Sequence, residues 1–146
     1  MRRVAQAVAL GLALASGPAR ASSDSDALLK FGLIGSWALD CRASPSPANP
    51  FMNFIPSSAG DPMRQLITGR PEYDSLVPIR DTALIGSDRL RLSFPQGGVT
   101  VTVVLVKDGR RIRPFEAAAS DGTASVSNGI VQRSGQPTAW LEKCPN

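Results

Sequence analysis

The stretch Gly98–Glu116, GVTVTVVLVKDGRRIRPFE, decides the fold class. Two apolar, β-branched runs flank Asp108-Gly109, and an Asp-Gly pair in that setting is the strongest short-range signal for a β-hairpin. A two-residue turn there pairs Lys107 with Arg110 and Leu105 with Ile112. One face then carries Val101, Val103 and Leu105 beside Ile112, and the other carries Val104 and Val106 beside Arg113 and Arg111. The first face reads as core. On the second, arginine stems lie over the valines. Arg89–Phe94 repeats the alternation, with Leu90 and Leu92 inward and Arg89 and Arg91 outward.

Short runs of the same kind extend in both directions: Phe51–Ile55, Met63–Thr68, Leu76–Ile85, Thr123–Val126, Ile130–Arg133 and Thr138–Lys143. Turn residues divide them at intervals typical of an antiparallel sandwich or barrel. Before them, Ser23 or Asp24 caps a helix over Asp26–Ile34, with Leu28, Phe31 and Leu29 or Ile34 on one side and Gly35 as its stop. Trp37–Cys41 reads as the first strand, with Trp37, Leu39 and Cys41 alternating against Ala38 and Asp40. Arg42–Pro50, with three prolines and two serines, is a loop.

The first residues read as an export leader. Arg2 and Arg3 precede an apolar run from Val4 to Ala15, and Ala19-Arg20-Ala21 supplies a small-x-small cleavage pattern with the cut after Ala21. Residues 22–146 then form one domain, in the periplasm or outside the cell, with no further transmembrane span. The whole chain carries 16 basic and 12 acidic side chains, but Arg2, Arg3 and Arg20 leave with the leader. A mature domain of net charge +1 lacks the positive field that nucleic-acid binding needs, which excludes that class.

Cys41 and Cys144 are the only cysteines, and in an exported chain they read as one disulfide. The bridge closes a loop of about 100 residues, for which chain entropy gives about 4–5 kcal/mol. No C-x-x-C spacing supports a redox site.

A short helix followed by Gly35 and Trp37 opening an all-β exported domain resembles the lipocalin (calycin) group. The resemblance implies a small antiparallel β-barrel whose closed end is plugged by Trp37, with an arginine from the last strands, Arg133 here, stacked across the indole. The size is similar to that of small periplasmic calycin-like proteins, among them inhibitors of secreted metalloproteases. A wider pattern also resembles a group of exported proteobacterial proteins. It is carried by Gly35, Trp37, Asp40, Cys41, Asn49 and Pro50, then by Asp121, Gly122, Gly135, Thr138, Trp140, Leu141, Lys143 and Cys144. That likeness implies export and the disulfide, and brings no activity.

Chemistry is sparse. The chain has no histidine, which removes the commonest general base and metal ligand, and no phosphate-binding glycine motif occurs. Asp40, Asp81, Asp108, Asp121 and Glu116 form no pair forced together by spacing, and no calcium loop is present. No enzyme, cofactor or metal site is therefore expected. Lys107, Arg110, Arg111 and Arg113 surround a hairpin tip, either as a patch for an anionic ligand or acidic partner, or as a solvated end. Phe51, Phe54, Phe94, Phe115 and Trp140 line a pocket or fill the core. Three functions fit: a binding module for a small apolar or anionic ligand, a periplasmic inhibitor of a secreted hydrolase entering its target's cleft with the segment from Ser22 onward, and an envelope protein without ligand.

Overall fold

Alternating apolar residues and a glycine-punctuated chain yield eleven strands in one antiparallel sheet, which curls into a nearly closed barrel beside one short helix. The computed structural model describes residues 23–145, so the expected leader, 1–21, lies outside the described residues. The helix α1 (Ser23–Phe31) leads into β1 (Gly35–Ala38), β2 (Phe51–Ile55), β3 (Met63–Ile67), β4 (Ser75–Pro78), β5 (Arg80–Ile85) and β6 (Arg89–Gln96). Then come β7 (Val99–Asp108), β8 (Arg111–Ala119), β9 (Ala124–Ser127), β10 (Ile130–Val131) and β11 (Leu141–Lys143). The hydrogen-bonded order is β4-β3-β2-β1-β11-β8-β7-β6-β5, with β9 on the far half of β8 and β10 on β9. The inward row of Leu90, Leu92, Val103, Leu105 and Ile112 joins Trp37, Phe54 and the helix residues Leu28 and Phe31 in one core.

Three local expectations change. The helix ends at Phe31 rather than Ile34, because Gly32 at φ 79° takes the left-handed conformation that closes a helix. The Gly32 and Leu33 N–H groups donate back to the Leu29 and Leu28 carbonyls, and Leu33 and Leu28 are both buried, the full set of features of a Schellman end. The buried side of the helix is Ser25, Leu28 and Phe31, while Leu29 is exposed. The first strand stops at Ala38, and Leu39 is exposed instead of sharing the inward row with Trp37.

The deciding hairpin turns one residue later than Asp108-Gly109 implies, which shifts the pairing by two. Gly109 at φ 59° is the first of the two turn residues and Arg110 the second, so Asp108 pairs with Arg111, Lys107 with Ile112 and Leu105 with Pro114. A turn with positive φ at its first central residue alone fits one glycine there, whereas a turn centred on Asp108-Gly109 demands it of both residues. A slip of two leaves every side chain on its assigned face. A bulge at Phe115 then lets β8 change partner, from β11 at Ile112 to β9 at Ala117.

Cys41 and Cys144 are joined, with Cα atoms 5.3 Å apart at a sequence separation of 103. The bridge sits where the ladder is thinnest: β1 pairs with β11 only at Trp37–Lys143 and Ala38–Glu142. Replacing both cysteines by serine should lower stability by about 3–5 kcal/mol while leaving the β-rich circular dichroism spectrum unchanged. Urea denaturation measures it, and a loss under about 1 kcal/mol would show that the barrel does not need the tie.

Candidate functional site

The two ends of the barrel differ. At the closed end, the chain leaves α1 through three successive carbonyls, and three strands answer them. Lys107 of β7 donates to Phe31 O at 2.7 Å, Lys143 of β11 to Gly32 O at 3.0 Å, and Trp37 Nε1 of β1 to Leu33 O at 2.7 Å. The same ammonium groups lie over aromatic rings, Lys107 at 4.7 Å from the Phe31 centroid and Lys143 at 5.5 Å from that of Trp37. Trp37 itself is buried in the core. Gly35 leaves room for the Lys143 stem, whose Cε would stand 3.4 Å from a Cβ at that position. The stacking cation, however, is Lys143. Arg133, expected in that place, is exposed in the turn after β10. The other end of α1 is fixed too, since Asp24 accepts from the Thr82 N–H and hydroxyl at 2.8 and 2.7 Å.

The open side lies between β4 and β6, the seam at which the sheet fails to close. These strands lie alongside one another with no ladder between them. The reason is local. In the two-residue β6–β7 hairpin Gln96 pairs with Val99 across Gly97-Gly98, so the neighbouring pair, Pro95–Thr100, is one that exchanges no hydrogen bonds. The backbone nitrogen of Pro95 therefore faces the seam, and proline carries no proton to donate there. What remains is a slot of about 280 Å³ bordered by Ser75, Val77, Pro95, Gln96, Gly97 and Gly98.

Arg64 floors the slot. It shares a face with Phe54 and Val77, its cross-strand partners on β2 and β4, and so points into the barrel. Its guanidinium lies 4.4 Å from the Phe94 centroid. Burial pushes its pKa below the ordinary value, and among the described residues no carboxylate forms an ion pair with it. Beneath it is an interior cavity of about 110 Å³ lined by Met52, Phe54, Leu92, Phe94, Val103, Leu105 and Pro114, with Arg64 its single charge. A third cleft of about 430 Å³ at the barrel mouth shares Phe94 and Val103 with this cavity and is widened by the small residues Ala117 and Ala119.

The four basic residues expected together at the hairpin tip are divided. Lys107 faces inward to the helix. Arg110 and Arg111 border a surface cleft of about 420 Å³ with Arg42, Glu142, Lys143 and the disulfide, and Arg111 is bonded to Asp108 at 2.7 Å. Arg113 lies on the outer face, 4.7 Å from the Trp140 centroid and packed against Gly129. Phe54 and Phe94 point inward, whereas Phe115 lies under Arg89 and Trp140 under Arg111 and Arg113. Six such cation–ring contacts occur where about two are usual for this length, so much of the basic charge serves as covers for rings.

Three of the five candidate carboxylates serve the backbone. Asp40 accepts from the Arg42 N–H at 2.8 Å and Glu116 from the Asn128 N–H at 2.9 Å. Asp121 accepts from the Thr123 N–H at 2.9 Å, which lowers its pKa. Compared with known protein families, curated proteins and solved structures, the chain matches none.

Exchanging Lys143 for methionine should cost about 1–2 kcal/mol, since it strips a cation from Trp37 and a donor from the Gly32 carbonyl. The same change at Arg133 should stay within about 0.5 kcal/mol, as for an ordinary surface site. Equal losses in guanidinium denaturation would contradict the assignment of the clasp.

Proposed function

We propose that the protein is an exported, non-enzymatic binding module, a lipocalin-like barrel acting in the periplasm or outside the cell and holding a small apolar ligand in its interior. The observation that carries this reading is the cavity of about 110 Å³ behind Phe94, whose lining is apolar except for Arg64. Protein interiors are close-packed, and a partly open apolar hollow of this order stands out against that rule; a cavity of about 150 Å³ takes a benzene ring. The ligand, or the part of it that enters, is therefore of the size of a ring or a short alkyl chain. Export is supported by the Cys41–Cys144 disulfide, which persists in oxidising compartments, and by the leader expected over 1–21. No helix among the described residues is long and apolar enough to cross a membrane.

Two other readings receive less support. An inhibitor that enters a cleft with its first segment needs that segment free, whereas α1 is tied to Thr82 and Ser57 at one end and to the lysine clasp at the other. An envelope protein without ligand gives no reason for an unfilled interior.

Benzene and short alcohols titrated into the mature protein should shift the NMR signals of residues lining the cavity. Val103→Phe, which fills the void at about 1–3 kcal/mol of strain, should abolish the shifts while the rest of the spectrum stays folded. A wild-type protein that takes up none of these probes contradicts the carrier reading.

A further inference from the structure

We propose that the slot between β4 and β6 is a head-group site, and that the ligand is an amphipathic anion whose charged head pairs with Arg64 while its short apolar tail fills the cavity beneath. This rests on the carrier reading and names its ligand class. A guanidinium in apolar surroundings is unfavourable unless an anion or several hydrogen bonds answer it. Arg64 has the Phe94 ring on one side, and neither hydrogen bond nor ion pair is present for it among the described residues. The domain holds acidic side chains elsewhere, and two of its arginines, Arg80 and Arg111, do take carboxylate partners. Arg64 alone borders both the slot and the cavity, so an anion reaching it from the slot leaves its substituent pointing at the interior.

The slot suits a planar oxyanion. Arginine presents a fork of donors that a carboxylate accepts in pairs. Ser75 and Gln96 add polar side chains at the border, and the Gly97-Gly98 turn, left-handed at both residues, presents bare backbone with no Cβ to obstruct a head group. The missing Pro95 donor keeps β4 from closing over the space. The cavity limits the tail: its volume favours a chain of a few carbons over a long acyl chain.

The test compares wild-type protein titrated with butyrate, hexanoate and octanoate, and with hexanamide as the neutral counterpart, by calorimetry and amide NMR. Hexanoate should bind at least about tenfold more tightly than hexanamide, and should shift the Gly97 and Gly98 amides as well as the cavity residues. Arg64→Met keeps a flexible side chain on Phe94 and should erase the tenfold preference while hexanamide affinity stays within about twofold. Equal binding of hexanoate and hexanamide, or a preference that survives in Arg64→Met, overturns the anion site and leaves the apolar carrier standing. Shifts confined to Thr123 and Ser125 at the barrel mouth overturn the slot. Failure of all four probes and of benzene removes the carrier reading itself.

Discussion

Three carbonyls in a row at the end of α1 take side-chain donors from three different strands, and these contacts tie the helix end to the barrel. A buried backbone oxygen without a partner is destabilising by about 1–3 kcal/mol; that applies in full to Leu33 and in part to Phe31, while the Gly32 carbonyl meets Lys143 at the surface. Their donors come from β7, β11 and β1, elements spread from one end of the sequence to the other. The helix end therefore works as a register gauge. A one-residue slip in β7 turns Lys107 outward, and a slip in β11 does the same to Lys143. Lysines at a helix C-terminus also meet the negative end of its dipole, so charge and hydrogen bonding favour one arrangement.

The covalent and non-covalent ties divide the labour around the ring. Along β6, β7 and β8 the ladders run eight pairs long, and the sheet holds itself there. Between β1 and β11, and again between β11 and β8, only two positions pair. The disulfide lies just beyond this thin joint, next to the Trp37–Lys143 stack. On the opposite side, between β4 and β6, neither a ladder nor a bridge is present among the described residues. A barrel pinned on one side and unpaired on the other opens, when it opens, at the unpaired side, because the free energy of local opening follows the density of contacts that must break.

Most of this framework was legible. Phe51–Ile55 falls on β2 residue for residue, and the runs at Arg89, Val99 and Thr123 start within one residue of β6, β7 and β9. These strands carry strict alternation, which a one-dimensional reading detects. Leu76–Ile85 was a single run and became two strands, because Ile79 turns the chain at the corner without a glycine to announce it. The functional side chains were less visible. Lys107 stands among the arginines of the hairpin tip in sequence, but its parity with Val103 and Leu105 places it on the inward face. The resemblance to lipocalins points to an arginine from the last strands, Arg133, whereas the residue directly opposite Trp37 is Lys143.

Arg64 carries a signal that the sequence already holds. In Met63–Ile67 it alternates in phase with Leu66, so one of the two inward positions of β3 carries a full charge. A run that breaks its own pattern at a single inward residue departs from the agreement between levels that marks an ordinary core strand, and such departures concentrate at functional positions. The energetics point the same way. Stacking on Phe94 returns about 0.5–2 kcal/mol against the desolvation that lowers the Arg64 pKa, and a leucine in the same place would avoid that desolvation. Pro95 sharpens the contrast, since it withholds from β6 the donor with which β4 would seal the seam above Arg64. Two residues that each weaken the fold border the same slot, one on its floor and one on its edge. Their adjacency is what supports reading the slot as a binding site and not as two unrelated imperfections of packing.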